Sequence, residues 1–473
     1  MIYSIKNIYS LLLFVCTMHS LYTQQRPSSP PLPGPAPEIS IGRFERFTLA
    51  NGLNVFVVSN KKVAHISYTL SFNYIPPLEK EFTGLASFTE QLIGTATGKR
   101  SKDEIDKQVD FIGATLESSD RTIFTQALSR HKQVLIELLA EVVLNPLFTD
   151  YELEKIKKRN ITAYYGYIND PEYIASQIEK KLLYGDTHPY GEIPTPTTMS
   201  KITVEKCRTF YQNYYQPQIA TLSIIGNITA EEAYWLTEKY FSSWQQGSLT
   251  THEYPPPTGP VVNTYVIADR PEAVQSVIKI CYPLQFLINT NDYHHAILMN
   301  HLLGSDFARL FNNLREKHAY TYGAYSNLVP DPLCGYFEAY TSVSNKNTAA
   351  AIKEILFEMR RLKDDTVEEK ELFVTKNKLS GHFALSLENP ETIAHFALNT
   401  HRYMLPEDFY VNYLKQIEVI TPHDILRAAS NYIHPENSYI IIVGHAEEIT
   451  PQIEAIPGKK KILYYDLNTN TFK

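Results

Sequence analysis

The sequence predicts an α+β fold in two related halves, and three observations carry that prediction. An ordered series of short strings occurs twice at a nearly constant offset. Each half reads as strands, then helices, then one last apolar strand. A Pro/Gly-rich joint lies between them.

The repeat comes first. Asn213-Tyr214 is followed by Pro217 and an apolar run that stops at Gly226. Asn431-Tyr432 is followed by Pro435 and a run that stops at Gly444. Ile202-Thr203 matches Ile420-Thr421. Asp170-Pro171-Glu172 matches Asn389-Pro390-Glu391, and Leu92-Ile93-Gly94 matches Leu302-Leu303-Gly304. Ordered matches with a slowly drifting offset indicate a duplicated domain. The halves are read as 39–247 and 262–458. Residues 248–261 form a linker rich in Pro and Gly, and residues 459–473 a C-terminal tail.

Within the first half, period-two alternation predicts strands at Phe44–Leu49, Leu53–Val58, Ser67–Phe72 and Thr122–Leu128. A buried apolar run predicts one more at Ala220–Ile225. Helical period appears at Thr83–Ile93, Ser101–Ile112, His131–Leu144, Asp150–Tyr165, Pro171–Leu183, Val204–Tyr214 and Ala230–Ser243. Ser101 and Glu104 have capping-box spacing, and Thr149 or Asp150 can cap the helix after them. Each half therefore reads as a mostly antiparallel sheet with helices packed on one face.

Composition narrows the class of function. The chain has 473 residues, 44% hydrophobic and 20% charged, which excludes a mainly disordered chain, a coiled coil and a polytopic membrane protein. A net charge of −7 gives no whole-molecule attraction for nucleic acid. The 33 Tyr residues suit peptide or sugar contact surfaces, and compositional bias explains them equally well.

The N-terminus reads as an export signal over 1–23. Lys6 precedes the apolar run Leu11 to Cys16, which is too short to span a bilayer. Val15 is bulkier than the small residue a lipoprotein site needs before Cys16. A Pro-rich tether fills 24–38. No other stretch is long and apolar enough for a membrane span, so an exported protein of the periplasm or cell envelope is expected. Cys207, Cys281 and Cys334 are too few and unevenly spaced for a disulfide framework or a metal site. They read as buried thiols, with one disulfide left open.

No HExxH or HxxEH string occurs, nor a GxSxG elbow, a Walker loop or a GxGxxG motif. His294 and His301 lie two helical turns apart, and His395 and His401 point away from each other. All four read as surface or core residues.

Several strings nevertheless resemble the M16 (insulinase or pitrilysin-like) metallopeptidase family, in its short two-domain bacterial branch. They are Asn51-Gly52-Leu53, Gly84 to Gln91, and His188-Pro189-Tyr190-Gly191. In the second half they are Leu303-Gly304, Leu310-Phe311, Leu314 to Lys317 and Tyr322-Gly323. The resemblance spans nearly all of 40–458 and implies two M16-type (LuxS/MPP-like) domains. It also implies a zinc site formed by two His and a later Glu, with a catalytic Glu between the His. Here Ser87 and Gln91 hold the two His positions, and Glu90 keeps the Glu. Ala163 falls at the third ligand position, with no carboxylate from Lys155 to Asn169. Zinc needs three strong protein ligands, so no zinc and no other cofactor is expected in this chain. Glu90 also reads simply as a helix carboxylate held by a local hydrogen bond.

Arg315 and Tyr322 have the spacing of an Arg/Tyr pair that, in the family, reaches the bound peptide. The bland reading pairs Arg315 with a surface acid and packs Tyr322 as a strand aromatic. The branch includes heterodimers that divide these parts between subunits. The expectation is thus a zinc-less, substrate-binding subunit that completes the active site of a zinc-bearing M16 partner and is inert alone. Peptide is the expected substrate. The alternative is a non-proteolytic scaffold or peptide-binding homologue. A stand-alone hydrolase with relocated ligands is the third reading, marked by stoichiometric zinc.

Overall fold

The computed structural model describes residues 44–62, 64–467 and 469–473. The signal and tether readings, over 1–23 and 24–38, lie outside the described residues. Two sheets organise the chain. The first has six strands: β1 (Glu45–Thr48), β2 (Asn54–Ser59), β3 (His65–Phe72), β4 (Thr115–Ser119), β5 (Thr122–Leu128) and β6 (Ala220–Gly226). Their order is β1-β2-β6-β3-β5-β4. The second has seven: β7 (Thr264–Asp269), β8 (Gln275–Leu284), β9 (Ala324–Val329), β10 (Gly335–Ser344), β11 (Tyr439–Gly444), β12 (Lys461–Asp466) and β13 (Thr471–Phe472). Their order is β13-β12-β7-β11-β8-β10-β9.

The run β2-β6-β3-β5-β4 and the run β7-β11-β8-β10-β9 have the same order and the same sense. In both, the first pair is parallel and the other three are antiparallel. Residues 459–473 do not form a free tail. β12 pairs in parallel with β7, and β13 turns back on β12, so this segment extends the second sheet. Strand β4 is not among the predicted strands. It lies at a sheet edge, where Thr115, Glu117 and Ser118 leave no clear apolar alternation to read.

Inner faces follow the alternation. Ile66, Tyr68, Leu70 and Phe72 of β3 are buried against helices Leu85–Leu92 and Lys132–Leu144 and their neighbours, with Phe88, Leu135 and Leu139 in the same core. Tyr265, Ile267, Ile278 and Ile280 play this part in the second sheet.

The other faces are covered from across the chain. Helix Pro171–Tyr184 belongs to the first half by sequence but packs on the second sheet. Ile174, Ala175, Ile178 and Leu183 bury against Val266, Ala268, Val277, Cys281, Ile441 and Val443. This explains why β7 and β11 read as continuous apolar runs rather than alternating ones, since strands covered on both faces are apolar on both. Asp170 caps the helix, accepting the N–H groups of Glu172 at 2.8 Å and Tyr173 at 3.3 Å, and Pro171 occupies its first turn. Conversely, helix Pro390–Arg402 lies over the first sheet, where Ile393 meets Val58 and Ile225. That contact is more polar. A cavity of about 290 Å³ remains, lined by Thr69, Ser71, Thr122, His395, Asn399 and Arg402. The expectation of helices on one face thus describes each half's own helices, and the second face is closed by a helix from the other half.

A buried charge cluster sits in the apolar contact. Lys279 of β8 donates to Glu179 of helix Pro171–Tyr184 at 2.5 Å and to Glu338 of β10 at 3.0 Å. Asn327 donates to the other oxygen of Glu338 at 2.9 Å. Burial, with the Glu338 charge beside it, pushes the Glu179 pKa up to about 7. The three cysteines, Cys207, Cys281 and Cys334, are buried and free.

Two outcomes follow from the Lys279 cluster. Lys279→Met leaves two buried carboxylates without their cation, and should cost about 3–5 kcal/mol in urea unfolding. The raised pKa of Glu179 means that its contribution is fully present below the unfolded carboxylate range and is lost as pH rises through about 7. Stability measured from pH 5 to 8 should therefore fall more in the native chain than in Glu179→Gln. Equal slopes would show that Glu179 does not titrate there.

Candidate functional site

Helix Leu85–Leu92 carries Ser87, Glu90 and Gln91. Its N-terminus is fixed by a carboxylate. Glu79 accepts the N–H groups of Gly84 at 2.6 Å, Leu85 at 3.0 Å and Ala86 at 2.7 Å. These are donors that a helix start leaves unpaired, at the positive end of its dipole. Gly84 takes φ 106°, a left-handed value that side chains disfavour. Glu192 in turn accepts the N–H of Glu79 at 2.8 Å and of Lys80 at 2.6 Å. Burial pushes the Glu79 pKa up to about 7, while its backbone donors pull it down.

Glu90 is buried and accepts the Arg121 N–H at 2.8 Å. That N–H is aimed by a two-residue turn between β4 and β5, with Asp120 at φ 48° and Arg121 at φ 59°. Two left-handed residues in a two-residue hairpin match the twist of the flanking strands. The Arg121 guanidinium donates to the Tyr74 carbonyl at 3.0 Å and lies 5.6 Å from the Tyr74 ring. Burial raises the Glu90 pKa, and the Arg121 N–H opposes this.

Gln91 is engaged on every side. Its Nε2 donates to Ser87 Oγ at 3.1 Å. Its Oε1 accepts from Arg159 Nη2 at 2.7 Å and from Asn160 Nδ2 at 2.8 Å. Both partners come from helix Asp150–Tyr167, started by Thr149, whose hydroxyl accepts the Glu152 N–H at 3.3 Å. The side chain this helix presents to Gln91 is Asn160, one turn before Ala163, which is exposed. Sequence reasoning did not single out Arg159, Asn160, Glu79 or Arg121. The signal for the first two was present in the helical period, since Ile156 and Asn160 share a face and Asn160 also donates to the Ile156 carbonyl at 2.8 Å.

These residues do not fit a zinc ion. The donors are a hydroxyl and two amides, and the amide oxygen of Gln91 is already taken by two N–H groups. One of those comes from a fixed cation, which repels a metal dication at this distance. Of the carboxyl groups lining the cleft beside them, Glu90, Asp106 and Glu117, Glu90 is tied to the Arg121 N–H and Asp106 to Lys102. Among the described residues no group of three or more His, Cys, Asp or Glu is placed to hold a metal.

The second-half residues lie in a segment pinned from both sides. Helix Arg309–Phe311 runs into a π-turn over Asn312–Lys317. Arg309 pairs with Glu371 through two bonds of 2.8 Å, and Asn313 donates to the buried Glu358 at 2.7 Å. Leu310 and Leu314 are buried. With those side chains turned inward, Arg315 faces outward. Its Cζ lies 4.7 Å from the Phe311 ring centroid, and its Nε is 3.5 Å from the adjacent Glu316. The loop that follows turns at Ala319 (φ 53°) and is tied by Thr341, whose hydroxyl donates to the Gly323 carbonyl at 2.8 Å. Tyr322 stands at 89% exposure, so it is not packed as a strand aromatic. The HPYG segment joins the halves, with the Tyr190 hydroxyl donating to Asp331 at 3.1 Å.

Comparison with known proteins decides the family. Residues 79–183 match the family described as Insulinase (Peptidase family M16), and residues 201–379 match the Peptidase M16 inactive domain. The chain belongs to the M16 peptidase family. Among its M16 relatives is an uncharacterized zinc protease, YmxG, of Bacillus subtilis. It is 24% identical over 357 residues, 73% of this chain and 85% of that protein. The mitochondrial-processing peptidase subunit alpha of Rattus norvegicus is 25% identical over 459 residues, 86% of this chain and 84% of that one. A crystal structure described as a peptidase M16 inactive domain from Pseudomonas fluorescens superposes with a TM-score of 0.77 at 20% identity. It covers 85% of this chain and 98% of that chain.

Restoring ligands tests this reading of the donor set. The native chain, equilibrated with zinc and dialysed, should retain less than a tenth of an equivalent by elemental analysis. Ser87→His, Gln91→His and Asn160→Glu combined with Arg159→Ala should retain one. A full equivalent in the native chain would refute the reading.

Proposed function

We propose that this chain is a zinc-less M16 subunit that binds peptide and lends Arg315 and Tyr322 to the active site of a zinc-bearing M16 homologue. The observation that carries the reading is the contrast between the two candidate positions. Around Gln91 the side-chain oxygen and nitrogen are both bonded within the chain. Arg315 and Tyr322 are exposed and held on a pinned segment, Tyr322 almost free of contact with its own chain. A fixed guanidinium suits a peptide carbonyl, and a phenol can donate to a developing oxyanion. Both would act only where a metal-bearing site is brought opposite them. A relative named as subunit alpha of a processing peptidase supports a division of labour between chains.

Peptide binding has a ready surface. Strand β4 is an edge of the first sheet, and an extended peptide can add to such an edge through backbone hydrogen bonds. A second reading, a peptide-binding protein without any part in hydrolysis, is favoured by the closed Gln91 network. We further infer export to the periplasm or envelope, from the signal-like N-terminus. Among the described residues no helix is long and apolar enough to cross a membrane. The two matching halves are read as the product of tandem duplication.

The test is reconstitution. The chain alone should not cleave peptides. Mixed with a homologue carrying HxxEH, it should raise that homologue's peptidase rate at least tenfold. Arg315→Ala with Tyr322→Phe should remove about 10²-fold of the reconstituted rate. No stimulation by the native chain would overturn the subunit reading and leave the non-proteolytic one.

A further inference from the structure

We infer that the cleft beside Gln91 is a binding site for the C-terminal carboxylate of an extended peptide, with the Arg159 guanidinium as its anchor. The inference concerns this chain alone and does not depend on a partner subunit.

The cleft has a volume of about 240 Å³. Its lining includes Glu90, Gln91 and Arg159, the charged pair Lys102 and Asp106, and Glu117 of edge strand β4. Arg159 is exposed and spends one N–H on Gln91 Oε1. It has no ion-pair partner among the described residues. Gln91 in turn is locked by Ser87 and Asn160, so the guanidinium is held at one end rather than free to sweep solvent. The cleft therefore offers a held cation beside a strand edge.

Those parts match one ligand geometry. A peptide added along β4 satisfies its backbone on the strand, and its terminus arrives at the donors. A carboxylate takes two guanidinium N–H groups side by side, in charge-assisted bonds roughly twice as strong as neutral ones. Of the other charges in the lining, Lys102 is paired with Asp106. Glu90 is turned to the Arg121 N–H. Glu117 lies exposed on β4. Arg159 also sets the chemical limit of the site. A guanidinium attracts carboxylate oxygens as a metal ion does, but it coordinates no water and cannot lower its pKa. The site holds a peptide end without cleaving it.

The experiment uses the mature chain alone. A fluorescein-labelled extended hexapeptide is titrated as the free acid and as the C-terminal amide, and anisotropy gives both affinities. The free acid should bind at least tenfold more tightly than the amide. Arg159→Gln should bring the acid down to the level of the amide, while Arg159→Lys should keep part of the difference. Circular dichroism melting checks that each variant is folded. Binding is read on the chain alone, with no partner subunit present, so failure here is distinct from failure of reconstitution. Equal binding of acid and amide, an Arg159→Gln variant that binds like the native chain, or no binding of either peptide would each overturn the inference.

Discussion

Each sheet in this protein has two faces, and a sheet whose second face is apolar must have it covered. That constraint sets the architecture. Neither half covers its own second face. Helix Pro171–Tyr184 crosses to close the second sheet, and helix Pro390–Arg402 crosses to lie on the first. The two contacts differ in chemistry. The first buries aliphatic side chains around one lysine and two glutamates. The second leaves a cavity walled by hydroxyls, amides and histidine. Hydrophobic burial scales with apolar area removed from water, so the first contact holds the halves together more strongly than the second.

The candidate site depends on this frame through a few backbone groups. Glu79 fixes the start of the helix that carries Ser87, Glu90 and Gln91, and the Asp120-Arg121 turn fixes Glu90. The long helix Asp150–Tyr167 then meets Gln91 with a cation and an amide. Gln91 thus sits in a polar network in which both its amide atoms are bonded. Polar groups left unpaired away from water are costly, and this network avoids that cost. The Arg315 and Tyr322 segment shows the opposite economy. Arg309 and Asn313 are tied down so that their neighbours can stay exposed.

Much of this was legible in the residues. The predicted strands and helices of the first half coincide with the observed ones to within a few residues, because each carries its own period, cap or stop. Ser101 and Glu104 form the capping box their spacing suggests. The absence of an HxxEH string was also legible, since Ser87 and Gln91 lie one helical turn apart. The partners of Gln91 were not, because a count along the chain does not say which turn of a helix faces a residue 68 positions earlier. Strand β4 and strands β12 and β13 were missed for a related reason. Edge strands lack the strict alternation that burial on one face imposes.

By itself the sequence determined the local elements, the repeated order of strings, the family resemblance and the absence of a zinc motif. All of these rest on periodicity, capping and short strings, which are properties of neighbouring residues. Only the tertiary structure decided which half each crossing helix covers, that residues 459–473 join the second sheet, and that Arg159 and Asn160 complete the environment of Gln91. Those are contacts between residues far apart in the chain. Their selection depends on which surfaces remain uncovered once the local elements have formed, and no single stretch of sequence contains that information.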